Sequence, residues 1–333
     1  MKSIRALLLA SASVLMAAGP ALALDGVVAS IKPVHSLVAG VMQGVGEPQL
    51  IVKGAASPHT YALRPSEAAA LEQARLIFWI GHDMEAFLDK ALDSLAGNAR
   101  VVELAEADGI TLLPFREGGA FEAHDEEEHA GHDHDDDDDH AHDDDHGHGA
   151  ESGGHDHAHG GSDMHFWLDP ENAKAMVRAI EGALVETDAA NADKYRENAA
   201  ALQARLDALA GEIEAEVAPV KGKGFIVFHD AYHYFEKRFG VEAAGSITVS
   251  PEVMPGAERI AAIKAKVGEL GATCVFAEPQ FEPKLVEVVI EGTEAKSGVL
   301  DPEGGSLAEG PELYFDLMRN IASSLRTCLA QPS

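Results

Sequence analysis

Apolar residues along this chain follow two patterns. Short continuous runs, "GVVASI" (26–31), "QLIVK" (49–53), "LIFWIG" (76–81) and "RVVEL" (100–104), alternate with stretches rich in helix formers. Such runs fit strands buried on both faces, and their alternation with helices predicts a parallel sheet under a helical cover. One of the helical stretches, "PSEAAALEQA" (65–74), carries Ser66 as its expected cap. From Pro170 the period changes, first in "ENAKAMVRAIEGALVE" (171–186) and then over 192–217, where Tyr195, Ala199, Leu202, Leu206, Leu209, Ile213 and Val217 recur every three or four residues. That spacing predicts a helix of about seven turns with one apolar face. It is long enough to link two domains, although a surface helix on a single domain has the same periodicity. The strand pattern then resumes with "GFIVF" (224–228), "AAGSIT" (243–248), "TCVFAE" (273–278) and "SGVL" (297–300). Four strands on either side of a long helix predict two similar α/β lobes. Ligands of open parallel sheets sit beyond the carboxyl ends of the strands, which directs attention to the residues after each run.

The N-terminus departs from this pattern. "MKSIRALLLASASVLMAAGPALALDG" has a basic start (Lys2, Arg5), an apolar core and small residues at Ala21 and Ala23, the form of an export signal removed near Ala23. The alternative, a membrane anchor, needs a longer apolar run. No later segment has the unbroken apolar length of a membrane span, so the mature chain is expected to be soluble. In an oxidising compartment the two cysteines, Cys274 and Cys328, can pair; two buried free thiols are the alternative.

A second departure is "HAGHDHDDDDDHAHDDDHGHG" (129–149). The formal charge is -31, and residues 122–159 contribute 16 Asp and Glu with no Lys or Arg. Phosphate binding requires a basic face, so nucleic acid is excluded as a partner and small cations are the natural ligands. With like charges and almost nothing apolar to bury, the segment from about 122 to 161 is expected to be a disordered insertion without metal. Its accessory ligands are His129, His132, His134, His140, His142, His146, His148, His155, His157 and His159. Unorganised ligands pay an ordering cost for each ion, so these sites should be weaker than a folded one.

Outside the insertion six histidines remain. His59 follows "QLIVK", His229 ends "GFIVF", and His165 lies in "DMHFWLDP" just ahead of a helix, so all three sit at strand ends or helix starts. Zinc takes a small tetrahedral set of nitrogen, sulfur or oxygen donors, and neutral imidazole is a favoured one. Asp301, directly after "SGVL", is the preferred candidate for a fourth ligand or a supporting partner, ahead of Glu278 at the end of "TCVFAE"; water is the other choice. Each histidine alone is equally a hydrogen-bonded structural residue, and separations of more than sixty residues leave convergence to the fold. His35, His82 and His233 are assigned structural roles. "HDAYH" (229–233) spaces two histidines for one helical face but lacks the glutamate of a metalloprotease signature, and no motif supplies the base of a zinc hydrolase.

Seven blocks, "SPHTYALRPSE", "HDMEAFLDKAL", "MHFWLDPENA", "KGFIVFHDAYHYFEKRFG", "VMPGAERI", "ATCVFAEPQF" and "GVLDPEG", resemble the metal-specific solute-binding proteins of bacterial ABC importers, and within them the zinc-uptake (ZnuA-like) branch. The resemblance spans essentially the whole mature chain. It implies a periplasmic, non-enzymatic, monomeric protein that binds Zn2+ and delivers it to a membrane permease. It also implies two lobes, each with a four-stranded parallel sheet flanked by helices, joined by a long rigid helix with metal in the cleft. On that basis the chain divides into a signal (1–23), an N-terminal lobe (24–170), a helical region (171–221) and a C-terminal lobe (222–333). The family's three ligands fall on His59, His165 and His229, and its disulfide on Cys274 and Cys328. Manganese-binding relatives carry a carboxylate where this chain has His229, which favours zinc. Some zinc members place an acid before the first histidine, where this chain has Pro58. A periplasmic zinc store, a metallochaperone and a manganese importer component are the alternatives.

Overall fold

The structure, a computed structural model, describes residues 23–116, 121, 161–248, 251, 255–269 and 274–330. The expected export signal, all but its last residue, and the accessory histidines of the acidic insertion lie outside the described residues.

The first lobe is built on β1 (Val27–Ala29), β2 (Gln49–Leu50), β3 (Leu76–Trp79) and β4 (Arg100–Glu103), crossed over by α1 (Lys32–Val41), α2 (Pro65–Glu72) and α3 (Ala86–Leu95). A short antiparallel ribbon of β5 (Leu113–Pro114) and β6 (Ser162–Asp163) follows, then α4 (Pro170–Thr187) and the long α5 (Ala192–Val217). The second lobe comprises β7 (Phe225–His229), α6 (His233–Phe239), β8 (Ala243–Thr248), α7 (Ala257–Glu269), β9 (Cys274–Ala277), α8 (Lys284–Ile290) and β10 (Lys296–Val299), closed by α9 (Leu313–Leu329). Both sheets are parallel, ordered β2-β1-β3-β4 and β10-β9-β7-β8. Counted within each lobe, both orders read second, first, third, fourth. The winding therefore reverses between the first and third strands, and this switch point opens the crevice in which such sheets bind ligands.

Strand burial follows from the double cover: every residue of β1, β3 and β7 is buried, whereas the edge strands β4 and β10 are half-exposed. Side-chain alternation in the second lobe splits the strands between two cores. Phe225, Val227, Cys274 and Phe276 point into a core shared with the first lobe, while Ile226, Phe228 and Val275 join Ile263, Val267 and Val286 in a separate one. All seven apolar positions expected on the long helix are buried along α5, which packs on α1 and α4 on one side and α9 on the other. The lobes thus share one continuous core through α5. Cys274 and Cys328 form a disulfide that fastens the last turn of α9 to β9, the staple expected from the export signal.

Two local expectations are corrected. Ser66 does not cap α2: Pro65 occupies the first helical position, where its missing N–H costs nothing, and Arg64 precedes it as the cap residue. The Glu67 carboxylate instead accepts from the Arg64 N–H at 2.8 Å. His229 and His233 do not share a helical face, because His229 ends β7 and His233 begins α6.

Candidate metal centre

Three segments distant in sequence deliver His59, His165 and His229 to one point. His59 sits in a single 3-10 turn, Pro58–Thr60, in the loop after β2. His165 follows β6 and is held by the next three side chains, Phe166, Trp167 and Leu168, none of which has any exposed surface. Just beyond, Asp169 caps α4 by accepting from the Glu171 N–H at 2.9 Å, with Pro170 at the first helical position. His229 is the last residue of the fully buried β7.

The Nε2 atom of His165 lies 3.4 Å from that of His59 and 3.2 Å from that of His229, and one ring nitrogen of each lies within 4.8 Å of the others. Two nitrogens bound to a tetrahedral zinc at about 2.0–2.1 Å stand about 3.3 Å apart, so the spacing fits a common ion. The tautomers reinforce this. His165 Nδ1 lies 2.8 Å from Asp163 Oδ1, and His229 Nδ1 lies 2.7 and 2.8 Å from the two oxygens of Glu278. The tautomer in which each Nδ1 donates to its ionised carboxylate leaves both Nε2 atoms as lone-pair acceptors facing each other. Two acceptors at that distance repel unless a cation lies between them, and a carboxylate behind a ligating imidazole raises its basicity toward a metal.

Protonation is tuned unevenly. Burial, then the neighbouring His165 and His229, holds His59 well below the usual imidazole range; burial and His229 do the same to His165. Burial also pulls on His229, but the charge and hydrogen bond of Glu278, with Asp230 and Asp163 nearby, outweigh it and raise its pKa. Burial pushes the Asp163 carboxyl up to about 7. A dication one imidazole away would favour its ionised form again.

The cavity is small. Lined additionally by Pro58, Glu278, Phe281, Pro302 and Glu303, it has room of about 10 Å3 for the centre of a water-sized particle, which is about one such particle. Phe281 stacks on Phe228 with ring centroids 4.9 Å apart and stands 6.0 Å from the His229 ring, an apolar wall on that side.

Of the two acids proposed to support the trio, the geometry reverses the order. Glu278 backs His229, whereas Asp301 Oδ1 accepts from Gln280 Nε2 at 2.8 Å, Glu303 N–H at 3.1 Å and Gly304 N–H at 2.9 Å, structuring its own loop. Sequence reasoning missed Asp163, although an acid two residues before a candidate ligand is a detectable signal. His35 bonds the Pro48 carbonyl at 3.0 Å, and His82 pairs with Asp89, so neither joins the trio.

The site lies where the carboxyl edges of the two sheets meet. His229 ends the first strand of its sheet and Glu278 follows the third, so this pair spans the switch point of the second lobe. Opposite them, after β1 and β3, Ser30 donates to the Glu85 carboxylate, which also accepts from the N–H groups of Ile80 and Gly81 at 3.0 Å each. Several bonds tie the lobes across this junction. Trp167 Nε1 donates to the Pro302 carbonyl at 2.9 Å, and Tyr314 Oη donates to the Trp167 carbonyl at 2.7 Å. Lys32 Nζ donates to the carbonyls of Gly304, Gly305 and Leu307 at 3.0, 2.8 and 3.0 Å. A Cβ on Gly305 would fall 2.9 Å from Ala55 Cα, so only glycine lets this loop approach the one that carries His59. Among the described residues, no helix is long and apolar enough to cross a membrane.

Comparison with known proteins agrees with this architecture. The profile of the family "ZnuA: Zinc-uptake complex component A periplasmic" matches residues 27–328. The chain is 56% identical to the high-affinity zinc uptake system protein ZnuA of Brucella suis biovar 1 over 334 aligned positions, covering 99% of this chain and 100% of that one. It is 38% identical to the protein of the same name from Yersinia pestis, covering 96% of each. Among solved structures, the periplasmic zinc binding protein TroA from Treponema pallidum superposes with a TM-score of 0.70 at 17% identity, covering 92% of this chain and 99% of that one, which shows the shared fold. The chain therefore belongs to the ZnuA family, the periplasmic solute-binding components of zinc uptake systems, which are not enzymes.

Proposed function

We propose that this protein captures one Zn2+ on His59, His165 and His229 in the cleft between its lobes and surrenders it to the membrane permease of an ABC importer. The observation that carries this reading is the convergence of three imidazole nitrogens, two of them fixed as acceptors by carboxylates behind their rings. An all-nitrogen trio in a cavity with space for about one small particle suits zinc. Magnesium and calcium require six or more oxygens, and manganese favours carboxylate.

Capture and release run through His59. Its ring is the one member without a carboxylate behind it, and Lys53, Gly54 and Ala55 just before it are exposed, whereas His165 and His229 are buried. The loop after β10 is pinned by Lys32 and by the Asp301 turn, which leaves the His59 loop, exposed at residues 53–55, as the side of the cleft that moves in this reading. The acidic insertion adds weaker sites that raise the local cation concentration. In this reading the chain reaches the periplasm by an export signal cleaved near Ala23.

The decisive experiment is a competition titration of the full chain and of a form lacking residues 122–159. One tight zinc site is expected to survive the deletion, with only weak capacity lost. A deleted form that retains no tight zinc would instead make the protein a store whose capacity lies in the insertion.

The pH dependence follows from the unequal imidazoles. The pKa of His229 is raised above the usual imidazole value, so as the pH falls it is the first of the three to protonate in the metal-free protein, and zinc must displace that proton. His59 and His165, held well below 6.5, stay neutral there and add no proton to the competition. Zinc affinity is therefore expected to fall as the pH drops below the His229 pKa, by at least about tenfold per pH unit, because the Asp163 carboxyl, raised to about 7, must also be ionised behind its ring. An affinity that stays flat as the pH falls through and below that range, measured by titration in a series of buffers, would contradict the assignment.

A further inference from the structure

Three imidazoles leave one position of a tetrahedral shell open, and neither acid brought forward by the sequence faces it. Both oxygens of Glu278 lie against His229 Nδ1. Asp301 lines a neighbouring cavity with Val299, Leu317 and Asn320 and is not among the residues lining that of the trio. A different acid lines the cavity of the trio. Glu303, on the loop after β10, borders the same small space as His59, His165 and His229 and is only 6% exposed. Among the described residues no hydrogen bond reaches its carboxyl group. The charges nearest to it are Asp301, Glu85 and Glu278, and the one cation among them, Lys32, is engaged by three backbone carbonyls. A carboxylate this closely enclosed and walled by other acids is destabilised. A dication arriving in the adjacent space would remove that cost.

We propose that Glu303 is the fourth zinc ligand, its carboxylate turning onto the ion held by the three imidazoles to give a shell of three nitrogens and one oxygen. The inference rests on the reading of the trio as the zinc site. Before the ion arrives, the Glu303 oxygens lie outside the group of ligand atoms that fall within 4.8 Å of one another, so binding requires a side-chain rotation. No hydrogen bond opposes that rotation. The backbone, by contrast, is fixed: the Glu303 and Gly304 N–H groups bond Asp301 Oδ1, and Lys32 holds the carbonyls that follow. Asp301 is thereby a positioning residue that aims Glu303 at the cleft. The same rotation couples the pinned loop of the second lobe to an ion entering past His59 from the first.

The test uses the full chain and the variants Glu303→Gln and Glu303→Leu. Three readouts are needed: zinc competition titration, the visible absorption of the cobalt(II)-loaded protein, and the melting temperature of the metal-free protein. Both variants are expected to keep a single site and to weaken zinc at least about tenfold. Their cobalt bands should shift in position and intensity, and the metal-free forms should melt no lower than the parent. Unchanged zinc affinity with an unchanged cobalt spectrum in either folded variant would overturn the proposal. A lower metal-free melting temperature with the cobalt spectrum intact would likewise overturn it, by making Glu303 merely structural. Failure of the trio reading looks different: the parent protein itself would take up no cobalt or zinc, or His165→Ala would bind as the parent does.

Discussion

Replacing His165 with alanine is expected to weaken zinc binding by about 100- to 1,000-fold. Four-ligand zinc sites in proteins bind with about 10–16 kcal/mol, so one ligand carries about 3 kcal/mol, and each 1.4 kcal/mol is tenfold in affinity. His165 should reach the upper part of that range. It is the nitrogen within 3.2–3.4 Å of both partners, and its ring is fixed by Asp163 and by the buried residues that follow it. Asp163→Asn, which keeps the shape but weakens the acceptor behind the ring, should cost about 10- to 100-fold. His59→Ala leaves the two buried ligands in place and should show itself most in a faster release rate. Chelator competition gives the affinities and stopped-flow transfer to an indicator gives the rate. Wild-type affinity in His165→Ala would remove the basis of the proposed site.

Removing the disulfide by Cys274→Ala and Cys328→Ala should lower stability by up to about 4 kcal/mol, the entropy of closing a loop of this length in the unfolded chain. For a protein of this size that corresponds to a fall of roughly 5–10 °C in melting temperature. Zinc affinity should be unaffected. Cys274 begins β9, whereas Glu278 follows its opposite end, and Cys328 lies in the last turn of α9, so the bond sits far along the strand from the cleft. Thermal unfolding of the metal-free double variant beside the parent tests both halves. A melting temperature within about 1 °C of the parent would show that packing of α9 alone already holds that end of the lobe.

Much of the architecture could be read without coordinates because it is written in local periodicity. The face of α5 expected from Tyr195 to Val217 is buried at every one of its positions, and all eight apolar runs contribute strands to the two sheets. "QLIVK" shortens to a two-residue strand, yet Ile51 and Val52 still donate to the Ala29 and Ser30 carbonyls at 3.0 and 2.8 Å, so the run continues along β1 beyond the ladder. The ribbon of β5 and β6 was not legible. Each strand is two residues long, and its partner lies across the acidic insertion, so neither length nor alternation marks it. At the site the strand-end rule pointed to three histidines that the fold brings together, and a resemblance of motifs proposed them as a trio. The roles of the acids were not legible, because a carboxylate just past a strand looks the same whether it turns toward the cleft, as Glu278 does, or back into its own loop, as Asp301 does.

What this sequence determined by itself is therefore the set of elements and the candidate donors: the hydrophobic period settles helix against strand, and imidazole softness points to the class of metal. Only the tertiary structure decided which donors meet and which acid stands behind each ring. Those depend on two reversals of sheet winding facing one another across a shared core, and on loop bonds between residues far apart in the chain, and no short-range pattern encodes either.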